Sequence, residues 1–92
     1  MRVKARFTGI FRHYAGEKER DYELPEGSKV SDLLLRIGRE FSARLPENMW
    51  DAREERFHPL IKVGRKGTPF ADDEEELRDG DEVFILSRMA GG

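Results

Sequence analysis

The chain has 92 residues, 17 of them Lys or Arg and 19 Asp or Glu, for a formal net charge of -2. That length holds one domain around a single modest core, and so even a charge balance argues against nucleic acid as the main partner. With no cysteine, the chain has no disulfide, no thiolate metal site and no cysteine nucleophile, so any thiol chemistry belongs to a partner.

Met1 to Arg6 alternates charged with small apolar residues and lacks the continuous apolar core of a signal peptide. No stretch of about 18 apolar residues occurs, so no membrane span and no membrane partner are expected, and the protein is expected to be soluble and cytoplasmic. From Arg2 to Phe11 the pattern has period two. Val3, Ala5, Phe7, Gly9 and Phe11 fall on one side and Lys4, Arg6, Thr8 and Ile10 on the other, which predicts a half-buried strand. Tyr14 to Lys18 supplies a turn. Arg20, Tyr22 and Leu24 then alternate with Glu19, Asp21 and Glu23 in a second strand, ended by Pro25-Glu26-Gly27, and the two strands read as a hairpin.

Val30, Leu33, Leu34, Ile37 and Phe41 recur at spacings of three and four, which predicts an amphipathic helix lying on a sheet. Ser28 or Ser31 is placed to cap its start, and Asp32 suits the positive end of its dipole. Gly38, beside the stripe, costs about 1 kcal/mol against alanine, so close packing of helix on sheet is the expected reason for it. The helix is expected to end near Arg44-Leu45-Pro46. Glu40, one helical turn from both Arg36 and Arg44, reads as their surface salt-bridge partner.

Pro46 to Arg56 is polar apart from Met49 and Trp50 and predicts a loop whose aromatic residue either tucks under the edge of the core, the preferred reading, or waits for a partner. Phe57 to Val63 predicts a third strand, with Ile61 and Val63 inward, Leu60 and Lys62 outward, and Pro59 marking an edge or bulge. Gly64 to Gly67 is a turn and Thr68-Pro69-Phe70 a short strand. Asp72 to Glu76 predicts a solvated acidic turn, Leu77 points inward, and Asp79-Gly80-Asp81 is a tight turn that feeds the last strand, Glu82 to Ser87. That strand is apolar on both faces, Val83 and Ile85 alternating with Phe84 and Leu86, as a covered central strand requires. The order strand, strand, helix, strand, short strand, strand is that of an α+β, β-grasp fold, with the first and last strands paired in parallel at the centre. The expected organisation is a domain over residues 1–87 and a flexible tail over 88–92.

On the face away from the helix, Thr8, Ile10, Leu60, Phe84 and Leu86 are expected to form an apolar patch rimmed by Lys4, Arg6 and Lys62, which suits partner docking. His13 and His58 have no acid at ligand spacing, so no metal site is expected. The tail, Arg88-Met89-Ala90-Gly91-Gly92, ends in residues without Cβ that can thread a narrow channel and deliver a terminal carboxylate.

Leu77-Arg78-Asp79-Gly80-Asp81-Glu82-Val83, followed by Ala90-Gly91-Gly92, resembles the ubiquitin-like sulfur-carrier family. That family includes the small subunit of molybdopterin synthase, the thiamine sulfur carrier, and relatives that serve tRNA thiolation, amino-acid sulfuration or protein modification. Phe11-Arg12 before Ala15-Gly16, and Leu24-Pro25-Glu26-Gly27 with Val30 and Asp32-Leu33-Leu34, extend the likeness over most of the chain. The resemblance implies a carrier rather than an enzyme, with no cofactor of its own. It implies that an E1-like adenylyltransferase, using ATP and Mg, adenylates Gly92, and that a partner's persulfide or sulfide displaces AMP. The resulting thiocarboxylate then enters a large synthase subunit or another sulfur acceptor, in the first instance for molybdenum or tungsten cofactor biosynthesis. Gly91 and Gly92 are on this reading the reacting tail, Met89 and Ala90 its lead-in, and Arg88, Ile10, Leu60, Phe84 and Leu86 partner-contacting residues. Within the same mechanism the alternatives are a carrier for cysteine synthesis or tRNA thiolation, or a modifier conjugated to proteins. Outside it stands a non-conjugating β-grasp binding module.

Overall fold

Val3, Ala5 and Phe7 turn into the core from β1 (Arg2–Phe7), while Arg2, Lys4 and Arg6 point outward. A computed structural model describes residues 1–67, 70 and 72–87. Its further elements are α1 (Gly9–Ala15), β2 (Glu19–Glu23), α2 (Val30–Phe41), β3 (Trp50–Asp51), β4 (Arg56–Phe57), β5 (Ile61–Arg65) and β6 (Glu82–Ser87). The main sheet has the order β2-β1-β6-β5. β1 and β6 pair in parallel from Lys4↔Glu82 to Phe7↔Ile85, and β2 and β5 flank them antiparallel. α2 lays Val30, Leu33, Ile37 and Phe41 on the inner face of the sheet, where Val83 and Ile85 of β6 are fully buried. This is the expected α+β, β-grasp arrangement with its central parallel pair.

The first strand is shorter than its period suggested. Gly9 has φ 56°, a left-handed value that glycine adopts without steric cost, and there the chain turns out of β1 into α1. Phe11 and Ala15 of this helix are fully buried, and Gly16, at φ 77°, ends it by donating its N–H to the Arg12 carbonyl. β1 and β2 therefore pair antiparallel across a helix instead of a tight turn. Ile10 consequently sits on α1, half-buried against the core, and not on the outer face of the sheet.

Neither Ser28 nor Ser31 caps α2. The Asp32 carboxylate accepts the Lys29 N–H at 2.8 Å, and the Ser28 hydroxyl is turned back to donate to the Pro25 carbonyl at 2.7 Å. The helix ends at Phe41, whose carbonyl accepts the N–H groups of Arg44 and Leu45 in the following turn. Glu40 pairs with Arg20 of β2; Arg36 and Arg44 instead donate to the carbonyls of Glu23 and Ala15.

The stretch after Pro46 is ordered as a small hairpin. Trp50 pairs with Phe57 and Asp51 with Arg56, while the Asp51 carboxylate accepts the N–H groups of Arg53 and Glu54. Met49 and Trp50 are buried, and the indole of Trp50 lies directly on Gly38, so the glycine admits the hairpin and not the sheet. The predicted third strand is divided: Phe57 belongs to β4, and β5 begins only at Ile61, after a turn in which His58 Nδ1 accepts the Leu60 N–H at 3.1 Å. Thr68 and Pro69, in the expected short strand, lie outside the described residues, and Phe70 is not in a strand.

The acidic run is not simply solvated. Glu74 pairs with Lys29 at 2.9 Å and Glu75 with the nearly buried Arg65 at 3.0 Å, and the carbonyls of Asp73 and Glu75 accept the N–H groups of Ser31 and Val30 at the start of α2. This satisfies donors that a helix N-terminus leaves open. Leu77 is buried, as expected. Among the described residues no helix is long and apolar enough to cross a membrane.

Candidate functional site

The turn before β6 locks the start of that strand to the start of β1. Gly80, at φ 87°, donates its N–H to the Arg2 carbonyl at 2.8 Å, and the Asp79 carboxylate accepts the Arg2 N–H at 2.7 Å. Asp81 closes the turn by accepting the Arg78 N–H on its carboxylate, while its carbonyl accepts the Lys4 N–H. β6 is then held by β1 from Glu82 to Ile85 and by β5 from Val83 to Ser87. At its far end the Thr8 N–H and hydroxyl both donate to the Ile85 carbonyl, at 3.1 and 3.0 Å, and Ser87 stands opposite Ile61. A central strand so clasped gives the residues that follow Ser87 a fixed point of departure. The tail residues themselves, Arg88, Met89, Ala90, Gly91 and Gly92, lie outside the described residues.

β6 also exposes one side chain in two on the outer face of the sheet. Phe84 is half-buried and Leu86 is 38% exposed. Strand register sets Arg6 and Gly64 on either side of Phe84, and Lys62 beside Leu86. Gly64 matters here, because a Cβ built on it meets nothing within 4 Å, so nothing from β5 covers Phe84 on that flank. The cations around the patch are themselves restrained: Lys4 pairs with Glu19 at 3.1 Å and Arg6 with Glu82 at 3.4 Å. The hydrogen bond from Lys4 lowers the Glu19 carboxyl below the usual glutamate value, with the charges of Lys4 and Arg6 adding to the effect.

The structure thus brings Phe84, Leu86, Thr8, Arg6 and Lys62 together, with Leu60, 39% exposed, in the turn just before β5. Ile10 is not among them. Gly64 had no signal in the sequence beyond its place in a presumed turn; its role follows from lying opposite Phe84. Among the described residues, no group of three His, Asp or Glu side chains is disposed to hold a metal ion. The face offers an apolar surface beside a fixed chain exit.

The sequence profile of the ThiS family matches residues 5–92, through the last strand and the tail. The chain belongs to the ThiS family. It is 30% identical to the molybdopterin synthase sulfur carrier subunit of Chlamydomonas reinhardtii, with the whole of both chains covered. A putative molybdopterin converting factor, subunit 1, from Pyrococcus furiosus is 30% identical, with a TM-score of 0.68 over 95% of this chain and 97% of that one. SAMP1 from Haloferax volcanii matches with a TM-score of 0.80 over all of both chains, but at 20% identity the likeness is one of fold. The chain is therefore a ubiquitin-like sulfur carrier of the ThiS family, similar to the small subunit of molybdopterin synthase.

Proposed function

We propose that this ThiS-family chain carries sulfur as a thiocarboxylate on Gly92 and delivers it in molybdopterin biosynthesis. A carboxylate at neutral pH is a poor electrophile, so an E1-like partner holding ATP and Mg first activates it. A Gly92 carboxylate oxygen attacks the α-phosphorus, pyrophosphate leaves, and an acyl-adenylate results. Sulfide attacking the acyl carbon then expels AMP and leaves the thiocarboxylate. With a partner's persulfide the first product is an acyl disulfide, which a second thiol of that partner cleaves to the thiocarboxylate and a disulfide. Gly91 lets the chain end enter a channel too narrow for side chains, Arg88, Met89 and Ala90 span the distance from the domain, and Leu60, Phe84 and Leu86 dock the partners.

The observation that supports this most is the anchoring of β6. The strand is tied to β1 as far as Ile85 and to β5 as far as Ser87, and the family match continues from it to residue 92. The pathway is chosen on the 30% identity, over both full chains, to a molybdopterin synthase sulfur carrier subunit. The test is mass spectrometry after incubation with the host's E1-like enzyme, ATP, Mg and a sulfur donor. Exchange of one oxygen for sulfur should be localised to Gly92 by fragmentation, since methionine oxidation gives nominally the same gain. A tail that stays unmodified under these conditions overturns the proposal.

A further inference from the structure

β5 is an edge of the main sheet: it pairs with β6 on one side, and among the described residues no strand pairs with its other side. Along that edge, between β5 and α2, runs a groove of about 530 Å³. Its floor is apolar, built from Leu34 and Leu35 of α2, Ile61 and Val63 of β5, Phe57 and Phe70. Its two ends carry opposite charge. Arg56 and Lys62 stand where β5 begins, beside Glu55, whose carboxylate is taken up by Arg39. Asp72 and Asp73 stand where it finishes, beside the start of α2, to which the Asp73 carbonyl is bonded through the Ser31 N–H.

A sheet edge that no further strand covers among the described residues, beside an apolar groove, is a surface to which an extended segment adds as a further strand. A segment running antiparallel to β5 enters at the acidic end and leaves at the basic one. The groove therefore selects a basic residue first, apolar or small residues next, and a carboxylate last. Arg88-Met89-Ala90-Gly91-Gly92 has that order. Extended, its five residues span about 17 Å, matching the five residues of β5. Two glycines at its end let the backbone approach the strand edge closely.

We infer that this groove binds the C-terminal tail of a second copy of the chain, with Arg88 against Asp72 and Asp73, Met89 on the apolar floor and the Gly92 carboxylate against Arg56 and Lys62. The tail of the same copy has the wrong polarity. The described chain leaves β6 at Ser87, the register partner of Ile61, which is already the end of β5 where Arg56 and Lys62 stand. A tail-to-groove contact joins two different surfaces, so reciprocal exchange closes it as a twofold dimer, and one-way exchange closes it as a larger ring or propagates it. While it lasts, it withholds Gly92 from an activating enzyme. The inference rests on the proposed function only in taking Gly92 as the free end of the chain.

The test is a titration of the ¹⁵N-labelled full-length protein with the synthetic peptide Arg-Met-Ala-Gly-Gly bearing a free carboxylate. Saturable amide shifts are expected along β5 and at Leu34 and Leu35. Amidating the peptide's end, or replacing its Arg by Glu, should each weaken binding by about two- to fivefold, as expected for exposed ion pairs. The Glu-substituted peptide should regain affinity on protein carrying Asp73→Arg, a change at an exposed side chain. No shifts with peptide in the millimolar range, shifts confined to the Phe84 and Leu86 face, or equal affinity for all three peptides would overturn the inference. Thiocarboxylation of Gly92 is read separately, by mass, so failure of the one is distinguishable from failure of the other.

Discussion

The indole of Trp50 occupies the space that a side chain at position 38 would need: a Cβ built on Gly38 falls inside the van der Waals envelope of ring atoms Cε3, Cζ3 and Cη2. Alanine is the better helix former by about 1 kcal/mol, yet overpacking costs about 1–3 kcal/mol, so Gly38→Ala should destabilise the domain by up to about 2 kcal/mol net in denaturant unfolding. Trp50→Ala alone should cost about 3–5 kcal/mol. The double variant should be clearly less unstable than the sum, since the clash and the cavity relieve each other. Simple additivity would show that the two residues do not press on one another.

Tyr22 is buried, its hydroxyl has no hydrogen-bond partner among the described residues, and burial pushes its pKa up to about 12, partly opposed by the charge of Arg20. A raised folded-state value means that the folded chain holds the phenolic proton longer than the unfolded one. The associated stability is fully present below pH 10, where an ordinary tyrosine titrates, and is lost as pH rises toward about 12. Tyr22→Phe should flatten that alkaline decline and, because no hydrogen bond is broken, should change neutral-pH stability by less than about 1 kcal/mol. Thermal melts across the pH range check both.

Glu19 is held below the usual glutamate value chiefly by its hydrogen bond from Lys4. The stabilisation it reports is present above that usual value and disappears as pH falls through the lower folded one. In a side-chain carboxyl NMR titration of Lys4→Gln, the Glu19 midpoint should move up toward the ordinary range. An unchanged midpoint would assign the shift to Arg6 instead.

Leu86 is 38% exposed on the outer face, so Leu86→Glu should leave the unfolding midpoint within about 0.5 kcal/mol of the parent. Its adenylation by the E1-like partner, followed as ATP–pyrophosphate exchange, should fall on the order of tenfold or more, as for the centre of an interface. Full activity would remove this face from the docking surface.

One residue added after Gly92 displaces the carboxylate at which the proposed activation occurs. The extended chain should melt as the parent does and show no detectable adenylation. Activity equal to the parent's would contradict activation at Gly92.

The local pattern of the chain determined much of this protein. The spacing of Val30, Leu33, Ile37 and Phe41 makes α2, the two-sided apolar run from Val83 to Leu86 makes a central strand, and Asp79-Gly80-Asp81 makes the turn that feeds it. The chemistry proposed for the tail is read from the sequence, from two glycines and a carboxylate. Tertiary structure alone decided the rest. Ile10, Phe11, Tyr14 and Ala15 satisfy a helical period as well as Val3 to Phe11 satisfies an extended one, and the left-handed turn at Gly9 chose between them. Strand register set Gly64 opposite Phe84, leaving that flank of the outer face uncovered. The acidic run became a helix cover because Lys29 and Arg65, distant in the chain, meet it in the fold. Periodicity records which way a residue faces within its own element. Which partner it meets there depends on register and on the packing of segments far apart in sequence, and no local pattern carries that.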